Sequence, residues 1–350
     1  MNTPALQAIP DTIRGLADYE SLARQRMDPQ AWAYFSACAG DGLTARANVS
    51  GWDALALWPR VLRSLADLNL DTVLFGRKWP SPLLVAPMAL QQLAHADGEL
   101  ATALAAAAQG VGLVLSAQSS VPMDTVIQAV CNDKGRGPLW YQLYFLNGRS
   151  ATLEQVWAAE AAGFEALVLT VDASVRAPRV GVPGASGQTS APQSLRELLA
   201  QAPTWDDVAW LQSQTRLPFL LKGVLHPEDA REAARLRVGG IIVSNHGGRT
   251  LDGAPATAAA LPRIADAVGD ALPLLVDGGI RRGTDVLKAL ALGARAVLVG
   301  RPVIHGLSVA GAMGVAHMLR LLTDELELAM AQCGLRHPSE AGPDVLQRLS

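Results

Sequence analysis

The sequence is short of cysteine, of aromatic residues and of charge. Only three cysteines occur in 350 residues (Cys38, Cys131 and Cys333), far apart and with no C-x-x-C pair. That excludes a disulfide framework and a thiolate metal site, and predicts reduced thiols in a cytoplasmic protein. Charged residues make up 17% of the chain, the net charge is −3, and no stretch concentrates Lys or Arg. A nucleic-acid partner is therefore not expected. The six histidines show no H-x-x-x-H spacing, so no metal site is expected; G-x-S-x-G and G-x-G-x-x-G are also absent. A hydrolase nucleophile elbow and a Rossmann dinucleotide site thus have no support. The chain does not open on a basic start followed by an apolar run, and the Ala-rich stretch 101–108 is too short to span a bilayer. The ending VLQRLS matches no peroxisomal or reticular retrieval signal. Neither a leader nor a membrane anchor is expected.

What the chain does have is apolar residues, 50% of the total, arranged with a repeat. Eight short runs read as buried strands: 82–86, 111–115, 139–143, 166–171, 217–221, 239–243, 272–276 and 295–299. Most are rich in Val, Ile and Leu, do not alternate with polar residues, and are bounded by Gly or Pro, as parallel strands covered on both faces are. Helical stretches separate them, among them 98–109, 151–162 ending at Gly163, 227–237 opening on Pro227, and 283–292 ending at Gly293. Repeated strand–helix units imply right-handed crossovers and a parallel sheet. A doubly wound open sheet reads similarly; the count and the length favour a single (β/α)8 TIM barrel domain over residues 1–350. Residues 11–37 read as N-terminal capping helices. The Pro-, Gly- and Ser-rich stretch 177–204 reads as a long loop after the fourth strand, a candidate lid.

In such a barrel the chemistry sits at the C-terminal ends of the strands. Those ends carry Pro87-Met88-Ala89, Ser116, Gln142 with Tyr144, Thr170 with Asp172, Lys222, Ser244 through Arg249, Asp277 through Arg281, and Gly300-Arg301. The turns VDGGIRRG and VGRP follow the last two strands, where barrels commonly bind phosphate at a helix N-terminus. There Gly278, Gly279 and Gly300 admit close backbone approach, and Arg281 or Arg301 offers a forked donor. His246 lies three residues before Arg249. A base beside a guanidinium suits a substrate whose carboxylate adjoins a removable proton. Asp172 is placed to orient that imidazole, as a carboxylate does in a catalytic triad, if the fold brings them together. Lys222, closing an apolar strand, either snorkels to solvent or stands as a fixed cation where negative charge develops. His95 and His226 read as structural, and Asp324, Glu325 and Glu327 as a solvated helix face.

At these residues the sequence resembles the FMN-dependent 2-hydroxy acid oxidase and dehydrogenase family, which includes glycolate oxidase, lactate oxidase and mandelate dehydrogenase. IIVSNHGGRTLDG is similar to the family's active-site signature. The likeness continues through APMALQQLAHADGELATALAAAA, YQLYFL, LTVDA, LPFLLKGV and VDGGIRRGTDVLKALALGA, over roughly residues 11–335. It implies FMN as cofactor and oxidation of a small (S)-2-hydroxy acid to the 2-oxo acid, with electrons passed to oxygen or another acceptor. It implies that Pro87, Met88, Ala89, Ser116, Gln142, Tyr144, Thr170, Lys222 and Ser244 contact the flavin, that Asp277 holds the ribityl chain, and that Gly278, Gly279, Arg281, Gly300 and Arg301 surround the phosphate. It further implies His246 as base paired with Asp172, Arg249 and Arg179 as carboxylate clamp, Tyr34 and Tyr144 as donors to substrate, and a homo-oligomer, a tetramer in many members. The sequence departs from the family after Asp172, where ASVRAPRV replaces a Pro and a basic run, so that Arg176 competes with Arg179; the loop there is also short. Position 118 is Gln, where plant glycolate oxidases carry an aromatic residue.

Overall fold

The computed structural model describes residues 3–145, 148–173, 196, 199 and 202–349. Within them the eight predicted strands close into one parallel barrel. In chain order these are β4 (Leu83–Val85), β5 (Gly112–Ser116), β6 (Leu139–Tyr144), β7 (Ala166–Thr170), β8 (Phe219–Val224), β9 (Gly240–Val243), β10 (Leu274–Val276) and β11 (Ala296–Val299). The ring closes where β11 pairs with β4, Val297 opposite Leu83 and Val299 opposite Val85. Helices α4 (Gly98–Ala108), α5 (Met123–Val130), α6 (Gly148–Ala162), α7 (Trp205–Ser213), α8 (Pro227–Arg235), α9 (Thr257–Val268), α10 (Gly283–Ala291) and α11 (Arg301–Gln332) follow the strands. The open-sheet alternative is thereby excluded.

The two-residue period of a strand divides its side chains between two cores. Leu83, Leu113, Leu115, Leu167, Leu169, Ile241 and Val243 point outward and pack under the helices. Leu84, Val114, Trp140, Val168, Leu220, Ile242, Leu275 and Leu298 point inward and fill the barrel. A short antiparallel hairpin of β2 (Thr72–Leu74) and β3 (Arg77–Trp79) precedes the barrel. Its Leu74 and Trp79, with Phe75, join the inner core. Trp79 meets Trp140 edge-on at 5.4 Å between ring centroids, and Phe75 approaches Trp140 at 5.8 Å. The hairpin thus stoppers the barrel at the end where the strands begin. Half-exposed Thr-Val-Leu and the charged Arg-Lys-Trp form no apolar run, which is why the sequence gives no sign of these two strands.

One pleat above the inner apolar layer, the same inward-facing rows become polar: Ser116, Gln142, Thr170, Lys222, Ser244 and Asp277 are all buried. The strand-end residues named from sequence therefore form one layer, facing one another across the mouth.

Two helices precede the barrel as expected, α1 (Leu16–Arg26) and α2 (Pro29–Ser36), and a third, α3 (Leu43–Asp53), follows them. α1 lies along α11, with the Tyr19 hydroxyl 2.8 Å from His317 Nδ1, while the last turn of α2 and one face of α3 reach the mouth. β1 (Leu55–Leu57) pairs with the C-terminal β12 (Leu346–Arg348). By length and composition α11 is apolar enough to cross a membrane, but 78% of its most apolar stretch is buried inside the protein. It is broken at Ala310 and Gly311, whose backbone leaves helical geometry.

One surface assignment is overturned. Glu325 is half-buried and accepts a hydrogen bond of 2.8 Å from Gly283 N at the start of α10, a site where a carboxylate satisfies an orphan amide. Asp324 remains exposed. Burial raises the pKa of Glu325, and burial likewise raises that of Asp285 nearby. In the unfolded chain both carboxyls titrate near about 4, whereas in the fold they hold their protons to higher pH. The stability they lend is complete below the ordinary carboxylate range and fades as pH climbs through the raised values. Glu325→Gln keeps an oxygen for Gly283 N and removes one of these titrations. Its melting temperature is expected to fall less than that of the wild type between pH 4 and 7; an unchanged slope refutes the assignment.

Candidate active site

The mouth is organised around a buried ion pair. Lys222 Nζ lies 2.9 Å from Asp277 Oδ2 and 2.9 Å from Ser244 Oγ. The snorkelling alternative for Lys222 is thus excluded, since the side chain is 5% exposed. Burial drives the ammonium toward its neutral form, but Asp277 and then Asp172 outweigh that and raise its pKa above the ordinary lysine value. Ser244 Oγ in turn accepts from His246 N at 3.0 Å. The chain from cation to candidate base is continuous.

His246 Nδ1 lies 2.9 Å from Asp172 Oδ1, so the fold supplies the contact that spacing alone leaves open. These residues come from the ends of β9 and β7, with β8 between them. Gly223, next to Lys222, makes the approach feasible. Its φ is +110°, and a Cβ there would sit 2.5 Å from the Cβ of Asp172. The β8–β9 register shifts at this point, between Lys222 and Val224. A glycine after the lysine therefore lets the strand end turn aside and admit Asp172.

Ser116 Oγ lies 3.1 Å from Gln142 Oε1, and Gln142 Nε2 donates to Leu143 O at 2.9 Å. Thr170 stands opposite Lys222 in the β7–β8 register and opposite Tyr144 in the β6–β7 register. Tyr144 is buried, and Pro87, Met88 and Ala89 are half-buried after β4. Gln118 is exposed after β5, its carbonyl accepting from Leu90 N at 3.1 Å.

The two arginines expected to bind different anions share one anchor. Arg249 donates to the carbonyls of Tyr34 (2.9 Å), Phe35 (3.0 Å) and Ala37 (3.2 Å). Arg301 donates to those of Phe35 (3.2 Å), Ala37 (3.1 Å) and Gly247 (3.0 Å). The Arg249 guanidinium also lies 5.5 Å from the centre of the Tyr34 ring. The last turn of α2, with Ala37 after it, is thus the hub between the two cations, a role that backbone carbonyls leave no trace of in a sequence. Arg179 and its rival Arg176 lie outside the described residues, as does most of the stretch 177–204.

Gly278 and Gly279 both adopt positive φ, 94° and 83°, directly after Asp277. Arg281 and Arg301 stand nearby, and neither makes an ion pair with a carboxylate among the described residues. Burial lowers the pKa of both, and Arg281 lowers that of Arg301 further. His305, stacked on Trp32 with ring centroids 5.6 Å apart, is pushed down to about 3 by burial and by these two arginines. Its imidazole is therefore neutral at physiological pH, and the region holds cationic charge that calls for an anion. Asp277 Oδ1, buried and without a hydrogen-bond partner among the described residues, asks for a donor. A molecule with hydroxyl groups ending in a phosphate meets both demands, as FMN does. Among the described residues no cluster suits a metal ion.

Known proteins agree with this geometry. The chain is 44% identical to an L-lactate oxidase of Alicycliphilus denitrificans over 97% of each chain. It is 42% identical to a peroxisomal (S)-2-hydroxy-acid oxidase of Oryza sativa subsp. japonica, over 92% of this chain and 93% of the other. Among solved structures, mandelate oxidase with (S)-2-phenylpropionate superposes with a TM-score of 0.85 at 40% identity, covering 96% of this chain and 98% of that one. A variant flavocytochrome b2 with pyruvate bound superposes with a TM-score of 0.89 at 34% identity, covering 97% and 88%. The profile of the FMN-dependent dehydrogenases matches residues 23–348, and the chain belongs to that family.

Proposed function

We propose that this protein oxidises a small (S)-2-hydroxy acid to the 2-oxo acid with FMN, and that His246 is the base. The observation that carries the reading is the imidazole–carboxylate pair of His246 and Asp172, set beside a buried Lys222 that is ion-paired with Asp277. Bound FMN supplies the two-electron acceptor. With Nδ1 turned to the Asp172 carboxylate, the proton belongs on that nitrogen and Nε2 is left with a lone pair. Nε2 then takes the substrate's hydroxyl proton as the α-hydrogen departs, or the α-proton itself, and Asp172 stabilises the imidazolium that results. Lys222 holds positive charge beneath the mouth. Arg249, its plane set by three carbonyls, orients the substrate carboxylate together with Arg179, while Tyr34 and Tyr144 donate hydrogen bonds to the substrate. Pro87, Met88, Ala89, Ser116, Gln142, Thr170 and Ser244 line the ring, Asp277 takes the ribityl hydroxyls, and Gly278, Gly279, Arg281, Gly300 and Arg301 receive the phosphate.

L-Lactate and glycolate are the first substrates to try, since relatives named for them match nearly the whole chain; Gln118 adds polarity at the rim that an aromatic would not. Oxygen is the proposed electron acceptor, because the relatives are named oxidases. The test is anaerobic mixing with a panel of hydroxy acids, then readmission of air or a quinone. Bleaching of the yellow colour by at least one acid, followed by rapid recovery in air with peroxide formed, is the expected outcome. A flavin that no hydroxy acid bleaches would end the reading, and recovery only with the quinone would make the protein a dehydrogenase.

A homo-oligomer in the cytoplasm completes the proposal. Val61 and Leu62 are 80% and 101% exposed, apolar surface that a second copy would cover. Cys38 and Cys131 are exposed free thiols, which suits a reducing compartment. Sedimentation at four times the chain mass of 36.8 kDa is expected; a monomer at micromolar concentration would refute the assembly.

A further inference from the structure

The mechanism above makes no use of α3, yet α3 touches both halves of the site. It presents two buried side chains four residues apart, Asn48 and Trp52, on one face. Trp52 Nε1 donates to Gly278 O at 2.8 Å, on the turn after Asp277. Asn48 exchanges two hydrogen bonds with Asn245, the residue before His246. Its Nδ2 donates to Asn245 Oδ1 at 2.8 Å, and its Oδ1 accepts from Asn245 Nδ2 at 2.7 Å. Both amides are then satisfied further: Asn48 Oδ1 accepts from Thr257 N (3.2 Å), Asn245 Nδ2 donates to Pro255 O (3.0 Å), and Asn245 Oδ1 accepts from Gly248 N (3.1 Å).

The backbone that this pair secures is strained. His246 has φ +56°, a left-handed conformation that a non-glycine residue adopts only where its surroundings hold it there. Gly247 and Gly248 continue at +63° and +76°, so the run is left-handed for three residues. Gly248 N closes it by donating to both Asn245 O (2.9 Å) and Asn245 Oδ1. Ser244 Oγ on His246 N and Arg301 on Gly247 O also hold the turn, but the Asn48–Asn245 clasp is what closes it onto α3, and a strained backbone relaxes where it is less over-determined. α3 is pinned to the same segment at its N-terminus, where Asp252 accepts from Asp41 N (2.8 Å) and Thr44 N (2.9 Å). There is no slack on the other side either: a Cβ on Gly279 would lie 2.1 Å from Asn48 O.

We propose that Asn48 is a positioning residue: through Asn245 it locks the left-handed turn that aims His246, and through its helix it fixes the distance from that turn to the cofactor-phosphate loop. The proposal rests on the base role of His246, but its own failure is separable from failure of that reading.

The test is anaerobic single-turnover reduction of the FMN-loaded protein by L-lactate, with hydrogen exchange of the peptide covering 240–255 as a readout independent of activity. Asn48→Ala should lower the limiting rate of reduction roughly 10- to 100-fold, the loss expected of a displacement of about an ångström. The substrate concentration giving half-maximal rate should move less than about threefold, because Arg249 is held from α2 and not from α3. Exchange at Gly248 should quicken. In a double-mutant cycle, Asn48→Ala with Asn245→Ala should cost little more than either alone, as members of one unit do. If Asn48→Ala does not fold, Asn48→Asp keeps both acceptor contacts but turns the donation into an oxygen facing Asn245 Oδ1 and adds a buried charge, so a rate loss at least as large and faster exchange are expected. A folded variant of either kind that reduces at the wild-type rate, or a double mutant whose losses simply multiply, would overturn the proposal. A wild-type protein not bleached by any hydroxy acid would instead overturn the function reading.

Discussion

His246→Gln is expected to bind FMN normally and to lose at least about 100-fold in the rate at which a hydroxy acid bleaches it. Glutamine approximates the reach of the imidazole but has no basic nitrogen, so the proton loses its acceptor while the shape of the mouth is kept. FMN affinity should hold, because the ion pair of Lys222 with Asp277 and the turns after β10 and β11 are untouched. Asp172→Asn is expected to share most of the loss: an amide in place of the carboxylate no longer stabilises a protonated imidazole. The two effects should not multiply, since the pair acts as a unit. The measurement is stopped-flow absorbance under argon with titration of FMN alongside. Bleaching of the His246→Gln protein within threefold of the wild-type rate removes this residue from the chemistry.

The second large effect concerns stability. Lys222→Met keeps a long side chain in an inward-facing row but deletes the ammonium. Asp277 Oδ2 then loses its cation at 2.9 Å while the residue stays 7% exposed. An uncompensated buried carboxylate costs about 3–5 kcal/mol, and the folded state should weaken by that order in urea. Adding Asp277→Asn to Lys222→Met should recover more than half of the loss, because a neutral amide needs no counter-charge. A single mutant that loses less than about 1 kcal/mol would mean that water already reaches the pair.

Much of this site can be read from the sequence, for a reason of geometry. Parallel strands covered on both faces are continuous apolar runs, and the residue that ends such a run is where the inward row turns from apolar to polar. Ser116, Gln142, Thr170, Lys222, Ser244 and Asp277 sit at those changes and come together in one buried layer. The His246–Asp172 contact spans 74 residues; the two strand ends make it feasible and the family resemblance implies it, but spacing alone leaves it open. What stays hidden is of three kinds. The carbonyls of Tyr34, Phe35 and Ala37, which hold Arg249 and Arg301, belong to the backbone and are not encoded in side-chain type. Asn48 pairs with a residue 197 positions away, and an isolated asparagine in a helix resembles any surface residue. Glu325 lies in an acidic stretch of α11 that looks solvated; only packing against α10 reveals it as a cap. Arg179 and Arg176 fall outside the described residues.

The stopper formed by Leu74, Phe75 and Trp79 has a kinetic corollary. With tryptophan and phenylalanine rings wedged into the base, traffic through the cylinder's axis is blocked, and acid, keto product and oxidant must all share the rim at the opposite end. Visitors to a shared doorway take turns. An inert acid lodged at that rim should then slow reoxidation of the reduced flavin by air as well as its reduction.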